Sequence, residues 1–169
     1  GVINQVLVGA PKTDGISGRI LLQGSADSGF DGDGLGGKAA ALVNYRAGNF
    51  DASIGATFER RGAFYDGNGN RIGVDATQGE IQDSDSYSFF GRFGYQISDS
   101  AWLELVANRF SLKSNANYVR VDGNRATGVP STSVRGVTPG EPASNRNELV
   151  SLSLTDDDLG GGTFTLQGF

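Results

Sequence analysis

The side chains best spaced to do chemistry are Asp66, Asn68 and Asn70, in the segment DGNGN. Oxygen-bearing side chains at i, i+2 and i+4 are the opening ligands of a calcium loop. The pattern then breaks, because Arg71 stands where a Gly should make the sharp turn and Thr77 where a bidentate Glu should close the site. Asx-Gly pairs also build ordinary turns. That is the expectation for Asp66, Asn68 and Asn70, for Asp31 and Asp33 in FDGDG, and for the run Asp156, Asp157 and Asp158. Arginines are the second group: Arg60, Arg61, Arg109, Arg120, Arg125 and Arg135. Guanidinium forks hold anions by charge and by paired hydrogen bonds. Catalysis is not expected. There is no His to act as base or metal ligand and no Cys to act as thiolate. Asp51 and Glu59, on one extended run, lie some ~26 Å apart, too far to share a proton transfer. No enzyme activity, resident metal or cofactor is therefore expected.

Composition narrows the class further. The chain has 169 residues, room for one domain, and a net charge of -5 with a pI of about 4.6. An acidic chain without a basic face is a poor nucleic-acid binder. Glycine is abundant at 27 residues, and the absence of Met suggests a processed or excised piece. No apolar run approaches the roughly 18 residues of a membrane helix, but a barrel strand needs only about 9–11.

The elements that must position these residues are strands. Phe50, Ala52, Ile54, Ala56 and Phe58 alternate with Asp51, Ser53, Gly55, Thr57 and Glu59, which marks a strand with one apolar and one polar face. The same alternation predicts strands over Ile16–Ala26, Gly37–Arg46, Phe50 to as far as Tyr65, Ser86–Ile97, Ala101–Lys113, Asn147–Thr155 and from Gly162 onward. Gly1–Val8 is a further β-prone run. In Ala101–Lys113 the apolar residues change sides, with Leu103, Leu105 and Ala107 on one and Phe110 and Leu112 on the other, which predicts a bulge near Asn108. The connections alternate between long (27–36, 66–85, 114–145) and short (47–49, 98–100, 156–161). A soluble meander has no reason to keep that parity, whereas an outer-membrane barrel has short turns on one side and long loops on the other.

Side-chain placement agrees. Tyr45, Phe50, Tyr95 and Trp102 flank the short turns, while Phe58, Phe64, Tyr87 and Phe89 lie toward the long loops. Two aromatic bands separated by Ala, Gly, Val and Leu are expected at two membrane interfaces. Arg19, Gln23, Lys38, Asn44, Arg46, Asp51, Ser53, Thr57, Glu59, Arg92 and Gln96 fall on the other side, suited to a wet lumen or an internal plug. The expected fold is all-β, an antiparallel up-and-down meander of about seven strands forming an open arc of a larger transmembrane β-barrel. Two alternatives stand beside it. One is a complete barrel of about eight strands with a structural or adhesive role; the other is a soluble β-sandwich binding module.

Three segments carry a family resemblance. The opening GVIN (Gly1–Asn4) is similar to the end of the plug domain in TonB-dependent outer-membrane receptors. Asn147–Gln167, NELVSLSLTDDDLGGGTFTLQ, resembles a hairpin common in that family, with an acidic and then glycine-rich turn. Gly55–Gly73, a strand running into YDGNGNRIG, resembles the family's third strand and second outer loop. The resemblance implies a plugged barrel of about 22 strands, of which residues 1–12 would be the end of the plug and a linker, and 13–169 the first seven or so strands. It also implies a Gram-negative outer-membrane location and a ferric siderophore or similar large nutrient as substrate. The implied partners are outer-membrane lipid, the rest of the barrel and plug, and the TonB energy-coupling complex, with no nucleic acid. Arg60, Arg61, Arg109 and Arg120 would then stand at the outer rim to attract an anionic chelate.

Overall fold

The computed structural model describes residues 11–30, 32–73 and 82–169. The β-prone run Gly1–Val8, the GVIN segment and Asp31 lie outside the described residues. Nine strands are described: β1 (Gly15–Ser25), β2 (Gly36–Ala47), β3 (Phe50–Arg61), β4 (Ser84–Gln96), β5 (Ala101–Ser114), β6 (Tyr118–Val121), β7 (Thr132–Arg135), β8 (Ser144–Leu159) and β9 (Gly162–Gly168). Seven form one antiparallel sheet in the order β1-β2-β3-β4-β5-β8-β9, and β6 and β7 make a small separate hairpin. The sheet is open, since β1 and β9 are its two edges. No second sheet packs on it among the described residues, so the sandwich alternative is set aside. No described helix is long and apolar enough to cross a membrane, which says nothing about strands.

Turn chemistry sets the short connections. Gly160 and Gly161, between β8 and β9, have φ of 67° and 82°. Two positive φ angles in succession are what a tight two-residue hairpin turn needs, and glycine supplies them without a Cβ penalty. The acidic run is not part of that turn: Asp156–Leu159 continues β8, with the register irregularity between Asp156 and Leu159. The bulge expected near Asn108 is absent. β5 pairs in unbroken register with β4 from Trp102 to Ser114 and with β8 from Ala101 to Lys113. Its apolar residues change sides because the outward face turns polar above Ala107, at Arg109, Ser111 and Lys113, while Phe110 and Leu112 face the other way. The long connection after β5, expected as loop, contains the β6–β7 hairpin.

Polarity is partitioned in reverse. Ile16, Ile20 and Leu22 on β1 are about three-quarters exposed, and Val43, Ile54, Phe89 and Leu152 about half exposed. Ser53 and Asp51 on the opposite face are 0% and 1% exposed, and Arg92 is also buried. Cα pairs in register share a face, so Val43, Ile54, Gly91, Ala107 and Val150 form one row across five strands of the apolar side.

An ionic lattice holds the polar side near the short turns. Arg92 on β4 donates from Nη1 to Asp51 on β3, and from Nε and Nη2 to Glu104 on β5 at 2.7 and 2.6 Å. Trp102 lies against this group, its ring 5.8 Å from the Arg92 guanidinium carbon. Trp102 therefore belongs to the polar wall and not to the outward aromatic band where the sequence placed it. The cause is local: Gly94, opposite Glu104, leaves the space that the Trp102 ring fills, and a Cβ there would collide with that ring. Tyr45 and Phe50, with ring centroids 6.1 Å apart, do sit together on the apolar side.

Arg92→Ala leaves the Asp51 carboxylate buried without its cation, and should cost about 3–5 kcal/mol. Thermal unfolding of the protein carrying this chain should show that loss. The same measurement on Arg92→Ala with Asp51→Asn should recover part of it.

Candidate functional site

The three long connections meet at one end of the sheet. The first contains a single 3-10 turn, Gly32–Gly34; the second runs over 62–83 and the third over 115–143. Backbone bonds tie them. Ala63 N donates to Asp33 O at 2.7 Å, Gly73 N to Ser131 O at 3.1 Å, and Asn115 N to Asp83 O at 3.0 Å. Ile72 and Thr132 form a β-bridge between the second and third connections.

Side chains lock the cluster at two points. Asp83 holds a φ of 46°, in the left-handed region that Asp tolerates better than most residues. There its Oδ2 accepts from Arg71 Nη2 at 2.7 Å and its Oδ1 from Asn115 Nδ2 at 2.7 Å. Tyr118 on β6 donates its hydroxyl to Asp33, while its ring lies under Arg71, 3.4 Å from the guanidinium carbon to the ring centroid. Arg135 on β7 approaches the same ring at 5.7 Å and Asp33 Oδ2 at 3.6 Å. The ring thus meets two guanidiniums, with Asp33 at its hydroxyl and Asp83 holding Arg71. Arg71 is buried, and its Nε and Nη1 have no hydrogen-bond partner among the described residues. Beside it opens a cleft of about 200 Å³ lined by Arg71, Asp83, Tyr118, Ser114, Pro139 and Glu141, among others. Such a surface offers cations, a π-face and acceptors to a polar ligand.

The residues singled out from sequence are dispersed. Arg61 shares a face with Glu59 and donates to it at 2.7 Å. Arg120 on β6 pairs with Asp122 at 2.7 Å and is exposed. Arg60 lies in register with Gly37 and Asp85 at the long-loop end of the apolar face. Arg109 is on that face too, 3.3 Å from Glu148. Asp66 uses both carboxylate oxygens inside its own turn: Oδ1 accepts from Asn68 N and Asn70 N, both at 2.9 Å, and Oδ2 from Asn70 Nδ2 at 3.2 Å. The Asn70 bonds, with help from Asn68, hold the Asp66 carboxyl below its usual value of 3.8. Among the described residues, no group of three or more His, Cys, Asp or Glu side chains could hold a metal ion. Sequence reading weighed Arg71 only as a misfit in a calcium pattern, and it did not single out Asp83 or Tyr118. No local signal marks those two, because their partners come from other connections.

Together these features define an open antiparallel sheet that exposes its apolar side and gathers its long connections into one polar cluster. No described protein family and no solved structure matches the chain. The chain is similar to the Rhizobactin receptor of Rhizobium meliloti (strain 1021), 28% identical over 174 residues. The match covers 99% of this chain and 23% of that protein, so the chain spans about a quarter of its relative's length. That relative is named as a receptor.

Two outcomes test the cluster. Tyr118→Phe removes a hydrogen bond to a carboxylate, worth about 1.5–3 kcal/mol, and Tyr118→Ala also removes the ring beneath Arg71. Hydrogen exchange at the Ala63, Gly73 and Asn115 amides should quicken in both, more in the second, with Val43 and Ile54 unchanged. The Asp66 turn has a pH signature. Its folded pKa is depressed, so its contribution is complete above the usual carboxylate value and is lost as pH falls through the lowered one. Exchange at Asn68 and Asn70, corrected for intrinsic rate, should accelerate only in strong acid; Asp66→Ala should show that acceleration at neutral pH.

Proposed function

We propose that this chain is the N-terminal barrel portion of a TonB-dependent receptor in the outer membrane of a Gram-negative bacterium. The observation that carries the reading is the reversed partition of polarity: large apolar side chains face outward along the sheet while Asp51, Ser53 and Arg92 are buried on the other side. A sheet of this kind suits hydrocarbon on one face and a polar lumen on the other. The strict alternation of short and long connections and the distant receptor relative point the same way.

On this reading residues 1–12 end the plug and 13–169 are the first barrel strands. The long connections are extracellular, and the intact receptor takes up a ferric siderophore or another nutrient too large for porins, driven by the TonB energy-coupling complex. The relative's name makes a rhizobactin-like chelate the first to try. Arg61 and Arg120, with Arg125 and Arg135 nearby in the outer loops, are the rim cations suited to an anionic chelate. Arg60 and Arg109, which the sequence grouped with them, look outward from the barrel wall and suit lipid better than substrate.

Ile54→Arg puts a charge at mid-height on the outward face and should cost about 2–4 kcal/mol. In the full-length receptor it should sharply reduce the heat-modifiable, outer-membrane-assembled form. Thr57→Arg, on the lumen face, should assemble normally. Uptake of radiolabelled ferric chelate in an iron-starved strain, with and without the gene, tests the transport claim. Equal assembly of the two variants would falsify the membrane reading.

A further inference from the structure

The outward face does not keep the same apolar height along the sheet. On β3 it runs from Phe50 to Phe58, ~27 Å of strand, and on β4 from Tyr87 to Tyr95, the same length. On β5 it runs only from Ala101 to Ala107, ~20 Å of strand, and stops short of the row of Phe89. On β8 the apolar stretch is Val150, Leu152 and Leu154, ~13 Å. Above it come Arg109 and Lys113 on β5 and Glu148 and Arg146 on β8.

Register places this step. Arg109 is opposite Phe89 and Glu148, one same-face row nearer the membrane interior than Tyr87 and Ser111. Glu148 binds both arginines: its Oε1 is 3.3 Å from Arg109 Nε and accepts from Arg146 Nε and Nη2 at 3.0 and 2.6 Å. One carboxylate is thus divided between two guanidiniums. The Tyr87 hydroxyl lies beside Ser111 and Arg109. With Arg60 and Lys113 above, four cations share this end of the face with two anions, Asp85 and Glu148, in a chain whose net charge is -5. The opposite end of the face is acidic, with Asp156 in register with Ala101 and Phe164.

A guanidinium cannot shed its proton, and it is costly in hydrocarbon. At the depth of Phe89 it needs an anion of the membrane itself. We propose that Arg109 and Arg146, held by Glu148 and flanked by Lys113 and Tyr87, form a seat for a phosphomonoester of an outer-leaflet glycolipid. The fork of each arginine matches a phosphate's oxygens, and Glu148 orients both forks while leaving the pair net positive. The step in the apolar band gives the lipid's acyl chains the lower ledge, Leu105, Ala107, Val150 and Leu152, directly beneath its headgroup. This inference rests on the reading that the face meets lipid.

The test uses the full-length receptor, delipidated and placed in phosphatidylcholine nanodiscs. It is titrated with bis-phosphorylated lipid A, with the dephosphorylated lipid, and with inorganic phosphate. Saturable binding of the phosphorylated lipid is expected, about thirtyfold weaker in R109Q/R146Q as two interfacial cations are removed. R109K/R146K should retain most of it, and R120Q, on the distant β6 hairpin, should match the parent. The dephosphorylated lipid should not distinguish the proteins, and inorganic phosphate should not compete at matched concentration. Equal binding of phosphorylated lipid A by the parent and R109Q/R146Q overturns the proposal, as does full competition by inorganic phosphate. Failure of the parent receptor to enter nanodiscs at all would instead sink the membrane reading, so the two failures are distinguishable.

Discussion

A large apolar surface that none of the described residues covers constrains everything else in this sheet. Ile16, Ile20 and Leu22 are 77%, 77% and 76% exposed, and Leu166 61%. An exposed area of that size in water would drive association. Apart from three alanines, the described residues removed from solvent are of the opposite kind, Asp51, Ser53, Ser84 and Arg92 among them. A water-soluble fold would place its core by burying the first group. Here cohesion comes from the backbone ladder, continuous from β1 to β9, and from side chains that interlock on the polar face. Ladders satisfy every interior N–H and C=O without help from solvent, which is why strands can tolerate hydrocarbon on one side.

That division of labour explains the ion pairs. A salt bridge on the surface of a water-soluble protein contributes little. The lattice around Arg92 is different, because it bridges three adjacent strands, β3, β4 and β5, beneath the Trp102 ring. Lys38 and Glu59 repeat the cross-strand device between β2 and β3 at 3.4 Å, and Asn44 with Ser53 does so without charge, the Ser53 hydroxyl donating at 2.8 Å. Each contact joins residues paired in register or one row apart, so each reinforces the register that places the apolar residues outward. The polar wall takes the role that a hydrophobic core has elsewhere: it selects one strand alignment.

What could be read from sequence follows the same logic. Alternation at period two is a local property, so strands, faces and the parity of the connections were legible, with ends displaced by a few residues at β4 and β8. A change of apolar side in β5 was legible too, but its cause was not. A bulge and a step in the height of the apolar face leave the same trace in one strand, and only the neighbours Phe89 and Glu148 distinguish them. Trp102 misled for a related reason. Tryptophan next to a turn fits an interfacial band, and the space that drew it to the polar side is made by Gly94 on another strand. In the loop cluster, Arg71, Asp83, Tyr118 and Asp33 come from three connections far apart in the chain. None carries a motif, and their chemistry exists only once the sheet brings the connections to one end.

The sheet's edges carry the reasoning one step further. Among the described residues, β1 and β9 each have a neighbour on one side only. Their outer backbone groups would be left unpaired, and neither lipid nor an apolar neighbour can satisfy such groups. A sheet that exposes apolar side chains along its whole width therefore cannot end at those strands if hydrocarbon surrounds it. On the receptor reading, further strands of the same protein continue both ladders, as a relative roughly four times the matched length would allow. The alternative, closure into a narrow barrel, would have to pack Arg19 and Lys38 into a small interior already holding Arg92, Asp51, Glu104 and Trp102. On the receptor reading, the width demanded by that polar wall and the unpaired edges favour the same geometry, a barrel wider than seven strands can close.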